Sequence, residues 1–139
     1  QPLSHKYTVL ASSLALTEPV VLESKGLESI LSAAPSEFGG PGDLWSPETL
    51  FTASVADCFI LSFKAVATAS KFNWEEISCT VEANLDRQEK TTRFISMLIK
   101  PKIRIPTSET EEKARKILDK AKSNCLVSNS ISASIVLVS

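Results

Sequence analysis

The sequence predicts an α+β domain, a mainly antiparallel sheet packed on one long, buried central helix. Three observations carry that prediction. A helix-start signal at Ser46-Pro47-Glu48 opens a segment that runs to about Lys71 and is apolar nearly all round, as a helix enclosed in the middle of a fold would be. Two later segments alternate apolar and polar residues with period 2, as strands of a half-buried sheet do. A shorter amphipathic helix follows them, giving the order strands, helix, hairpin, helix, strand.

Taken in order, residues 6–33 read as short strands broken at Glu18-Pro19 and Lys25-Gly26, pairs that punctuate a chain rather than extend it. From Pro35 to Ser46 the chain is turn-rich, with Gly39, Gly40, Pro41 and Gly42 in succession. Ser46 is suited to capping free amides, Pro47 has its φ preset for a first helical position, and Glu48 lies at the positive end of the helix dipole. After the helix, Ile77, Cys79, Val81, Ala83 and Leu85 share one strand face, with Ser78, Thr80, Glu82 and Asn84 on the other. In the next strand Met97, Ile99, Ile103 and Ile105 share a face while Lys100, Lys102 and Arg104 point away. The charged stretch from Asp86 to Thr92 is expected to turn between them, making an antiparallel hairpin with one wet face. Ser108 and Glu111 have capping-box spacing for the second helix. Its stripe of Ala114, Ile117, Leu118 and Ala121 continues in register to Cys125. Ile131 to Val138 reads as a final strand, and residues 1–139 are expected to form a single domain.

Composition narrows the function. With 43% apolar and 22% charged residues, the chain is globular rather than disordered. A net charge of −1 without any Lys or Arg run argues against nucleic acid as a partner. The segment Leu50 to Ala69 carries Asp57 and Lys64, each costing about 2.5–3.5 kcal/mol at a bilayer centre, so it reads as a core helix and no membrane partner is expected. No secretion signal is legible at the N-terminus, and three cysteines are too few for a disulfide scaffold. Reduced thiols in a cytoplasmic protein are expected.

Those thiols are the candidates for chemistry. Cys79 occupies an inward strand position between Ile77 and Val81 and reads as a small hydrophobe. Cys58 and Cys125 each continue an inward helix face, and a thiol oxidised to sulfenic acid needs a second thiol in reach before it over-oxidises. Taken singly, each is more often a core cysteine. Asp57 beside Cys58 disfavours a thiolate. Metal binding by Cys58, Cys125 and His5 lacks any supporting spacing, so no metal and no cofactor are expected. Gly39-Gly40-Pro41-Gly42 lacks the lysine and preceding strand of a phosphate loop. A serine nucleophile would need a histidine base, and His5 is the only histidine.

At these residues the chain resembles the OsmC/Ohr family, the osmotically induced and organic-hydroperoxide-resistance proteins. The resemblance rests on Glu37-Phe38-Gly39-Gly40-Pro41-Gly42, on Ser46-Pro47-Glu48-Thr49-Leu50-Phe51 leading to Asp57-Cys58-Phe59, and on Ala121-Lys122-Ser123-Asn124-Cys125-Leu126-Val127-Ser128. It implies an OsmC-like intertwined homodimer with each active site at the subunit interface. It also implies thiol-dependent reduction of organic hydroperoxides: Cys58 becomes a sulfenic acid, Cys125 closes a disulfide, and an external dithiol reduces it. Glu48 matches the family's acid, which holds an arginine against the thiolate. Phe38, Trp45, Phe51 and Phe59 would supply an apolar wall for the substrate. One part of the pattern is absent: Arg87, Arg93, Arg104 and Arg115 all follow Cys58. Losing an opposite charge beside a thiol cuts its thiolate fraction near neutral pH by up to about a thousandfold. Lys6 or Lys25 could substitute, without the guanidinium's fork. Asp57 also stands where the family has a small neutral residue, and Leu126 where many members have proline. The alternative function is therefore an OsmC-like protein without fast peroxidase activity, which binds an apolar small molecule or senses oxidation at the dimer interface.

Overall fold

The computed structural model describes residues 3–16 and 18–138, and its contacts divide the chain into two compact units, Gln1–Leu50 and Phe51–Ser139. In the first, β1 (Leu10–Ser12), β2 (Val20–Glu23) and β3 (Ile30–Ser32) form an antiparallel sheet in sequence order. Gly26, at φ 79°, makes the β2–β3 turn, a conformation that suits a residue without Cβ. Ser32 then bridges to Trp45, and Ala33 N–H donates to the Trp45 carbonyl at 2.9 Å. A short 3-10 turn, Ser36–Phe38, fills the excursion between them and ends at Gly39 with φ 85°.

The long helix α1 spans Pro47–Ala69. Its start is as expected: Ser46 Oγ accepts from Thr49 N–H at 3.1 Å, and Thr49 Oγ1 accepts from Ser46 N–H at 2.8 Å. The two side chains thus satisfy each other's backbone donors as a capping box does. The helix ends two residues short of Lys71. Lys71 adopts φ 53°, Phe72 N–H reaches the Ala67 carbonyl at 2.9 Å, and Lys71 N–H the Thr68 carbonyl at 3.2 Å. This is a Schellman closure made with lysine in place of glycine, sealed by the buried Phe72 ring.

In the second unit β4 (Glu76–Gln88) and β5 (Thr91–Arg104) pair antiparallel, and β6 (Ser134–Leu137) pairs parallel to β5, in the order β4-β5-β6. The hairpin turn is tighter than the charged stretch suggested. Gln88 pairs with Thr91, and Glu89 takes φ 60°, the left-handed geometry that two-residue hairpin loops use. Helix α2 (Glu111–Asn124) carries the expected buried stripe of Ala114, Ile117, Leu118 and Ala121, and the single turn α3 (Leu126–Asn129) follows.

The α2 cap corrects the sequence reading. Thr110, not Ser108, caps the helix, accepting from Lys113 N–H at 3.2 Å. Glu109 N–H closes a turn onto the Pro106 carbonyl, and the Glu109 carboxylate accepts from Asn73 N–H at 2.8 Å. Residues 106–109 are thus committed to a turn, and the helix begins after it.

The core of this unit gathers Val55, Phe59, Phe63, Val66 and Ala67 of α1 with Met97 and Ile99 of β5 and the α2 stripe. Phe63 meets Trp74 edge-on at 5.3 Å. By length and composition α1 could cross a membrane. Its buried stripe and the exposed Asp57 and Lys64 mark it instead as a core helix.

Candidate active site

Two elements deliver the principal thiols. Cys58 sits half-buried on α1, one residue before the fully enclosed Phe59. Cys125 is the elbow between α2 and α3, with an extended ψ of 103° that ends one helix and starts the next. Its N–H donates to the Lys122 carbonyl at 3.2 Å, and its own carbonyl accepts from Asn129 N–H at 3.0 Å. The side chain is completely buried.

The fold brings Cys58 near enough to Cys125 to influence its thiol. Ser128, also buried, donates its hydroxyl to Cys125 Sγ at 3.2 Å. Burial pushes the Cys125 thiol above its ordinary range, hydrogen bonds from Ser128 pull the other way, and Cys58 adds to the rise. Cys125 therefore stays protonated at neutral pH.

Cys79 is placed differently. It lies inward on β4 opposite Pro101, and its thiol is pushed up to about 11. Burial is the main cause, a backbone hydrogen bond at Lys100 opposes it, and Cys125 raises it further. The third thiol is thus a neutral hydrophobe at neutral pH, yet close enough to Cys125 for the ionisation of one to oppose that of the other at high pH.

The remaining candidates separate. Glu48, on the first turn of α1 with its Oε1 turned away from solvent, shares a recess of about 220 Å³ with Phe38, Val20, Ala34 and Pro35. A Cβ on Gly40 would collide with the Ala34 carbonyl, so the turn holding Phe38 depends on glycine there. Trp45 is half exposed beside Leu44 and Thr49 in an open hollow. Phe51 stacks on Phe94, ring centres 5.0 Å apart at 29°. Phe59 is wholly enclosed in the core and presents no surface to solvent. Sequence reasoning passed over Phe94 and Ser128. The spacing Cys125-x-x-Ser128, about one helical turn, was the available signal for the latter.

Two of the arginines bond elsewhere among the described residues. Arg104 Nη1 and Nε donate to Glu76 at 2.6 Å and Glu75 at 3.2 Å, and Arg93 to Ser132 at 2.7 Å.

The sequence profile of OsmC-like proteins matches residues 40–139. The chain belongs to the OsmC-like family. An uncharacterised protein of Acinetobacter baylyi is 30% identical to it over 123 residues, covering 88% of this chain and 84% of the relative. An OsmC-like protein of unknown function from Vibrio cholerae superposes with a TM-score of 0.88 at 18% identity, over 97% of this chain and 99% of that one. An organic hydroperoxide resistance protein OsmC from Legionella pneumophila is also similar, with a TM-score of 0.76 and 27% identity over 98% and 100% of the two chains. The α+β fold with its long helix is thus the OsmC-like fold, and the family ties this chain to a peroxide-related role.

Proposed function

We propose that this OsmC-like chain is a cytoplasmic thiol peroxidase for organic hydroperoxides, working as a homodimer in which residues 1–139 act as one domain. The carrying observation is the Cys58–Cys125 pair, a half-buried thiol near enough to a buried, protonated one to influence it. The likeness to the Legionella protein named for organic hydroperoxide resistance supports the substrate class.

In this reading the Cys58 thiolate attacks the terminal oxygen of the hydroperoxide. An S–O bond forms, the O–O bond breaks, and the alkoxide leaves and takes up a proton to become the alcohol. Cys58 is now a sulfenic acid. The Cys125 sulfur attacks it, an S–S bond forms, the S–O bond breaks, and the hydroxyl departs as water with the Cys125 proton. An external dithiol returns the disulfide to two thiols by exchange. Ten residues of α1 put about 15 Å between Glu48 and Cys58, so Glu48 serves this chemistry as a residue of the second copy, alongside an apolar wall drawn from Phe38, Trp45 and Phe51.

The alternative, binding of an apolar molecule or sensing of oxidation without fast turnover, draws on one observation: no arginine precedes Cys58. One equivalent of organic hydroperoxide should consume two thiols per chain. Cys58→Ser should abolish the consumption, Cys125→Ser should leave a trappable sulfenic acid on Cys58, and Cys79→Ser should change neither. Consumption that survives Cys58→Ser contradicts the assignment.

A further inference from the structure

Ser128 is one of three buried polar residues among those described, with Ser32 and Ser46. Ser46 is accounted for by its helix cap. The Ser128 hydroxyl spends its hydrogen bond on Cys125 Sγ, at 3.2 Å, and the two residues span the whole of the elbow from the end of α2 to the last turn of α3. Cys58 lies near the same sulfur. Hydroxyl and buried thiol thus form a donor–acceptor pair, with the half-buried Cys58 thiol beside it.

We propose that Ser128 is a positioning residue for disulfide closure: its hydroxyl aims the Cys125 sulfur at Cys58 and donates to the charge that grows on that sulfur as its proton leaves. The assignment of a step rests on the peroxidase reading above. In that step Cys125–SH and Cys58–SOH, the latter made by the organic hydroperoxide, give Cys58–S–S–Cys125 and water. The proton of Cys125 goes to the departing hydroxyl. Between the loss of that proton and the formation of the S–S bond, the sulfur carries negative charge in a buried site, where an uncompensated charge is costly. A hydroxyl already pointed at it lowers that cost without reorganisation. A hydroxyl that merely filled its own hydrogen-bonding need would leave the reactivity of Cys125 unaltered.

Two measurements separate this proposal from the reading it rests on. The titratable groups facing Cys125 are Cys58 from α1 and Cys79 from β4, so a Cys58→Ser, Cys79→Ser protein leaves Cys125 as its only thiol. In that background the ultraviolet absorbance of the thiolate, followed against pH, should rise at higher pH when Ser128→Ala is added, and Ser128→Thr should restore it. No movement overturns the proposal, whether or not the wild type reduces any peroxide. In single-turnover oxidation of otherwise wild-type protein by an organic hydroperoxide, Ser128→Ala should slow disulfide closure about tenfold or more, the weight of one hydrogen bond to a charged group. Formation of the sulfenic acid should keep its rate. Slowing of both steps alike, or of neither, overturns it. If Ser128→Ala does not fold, Ser128→Thr against its isostere Ser128→Val makes the same comparison. A wild type inert to hydroperoxide defeats the peroxidase reading alone, and the titration then decides whether Ser128 tunes Cys125.

Discussion

Cys79 is held as a neutral thiol, and that has a consequence for stability against pH. Its thiol titrates at about 11 in the fold against 9.0 ordinarily, chiefly through burial. An acid whose folded pKa is raised keeps its proton longer in the native state, so the unfolded chain binds fewer protons between those values. Its contribution is therefore whole below pH 9 and is lost as pH rises toward 11. Cys125 moves the same way, also through burial first. The urea midpoint should fall across this interval, and Cys79→Ala should flatten the fall. A wild-type midpoint constant from pH 9 to 11 would remove the argument. Cys58, Cys125 and Cys79 were all legible in the sequence, the first two from helix faces and motif, the third from strand alternation. The approach of Cys79 to Cys125 was not, because it joins β4 to a helix elbow and depends on packing that no local pattern records.

At the scale of elements, boundaries show what sequence signals can carry. Ser46-Pro47-Glu48 was read correctly because cap, φ and dipole all act within one turn. The end of α1 was read slightly long because the closing left-handed residue is Lys71 rather than the glycine that usually announces it. Ser108-x-x-Glu111 matches a capping box in spacing, yet the turn at Pro106–Glu109 and the Asn73 bond to Glu109 pre-empt it. The two caps can be told apart by thermal or urea unfolding. Thr110→Ala should cost about 1 kcal/mol, whereas Ser108→Ala should stay within about 0.5 kcal/mol. The reverse order would return the cap to Ser108. The strand faces were legible from Ile77 to Ala83, where Ile77, Cys79, Val81 and Ala83 are half-buried alternately with exposed partners. Leu85, expected on the same face, is exposed beyond a register shift at Asn84/Leu85. The parallel pairing of β6 with β5 was not legible, since pairing direction leaves no mark on the alternation of a single strand.

For the whole molecule, the question is what covers α1. Val55, Phe59, Phe63, Val66 and Ala67 are buried within one chain, but Leu61 of the same helix, with Ile30 and Leu31 of β3, stands exposed. Apolar side chains left uncovered in this number favour a partner surface. Light scattering at micromolar concentration should return twice the chain mass, and Leu61→Glu should shift it toward the single chain. A monomer mass for the wild type would contradict the homodimer. Whether the thiol pair turns over quickly without an arginine ahead of Cys58 is decided by stopped-flow oxidation of Cys58 with cumene hydroperoxide against hydrogen peroxide. The wild type should react far faster than free cysteine and faster with the organic peroxide. A rate no greater than that of free cysteine would contradict the peroxidase assignment and leave the binding or sensing alternative in its place.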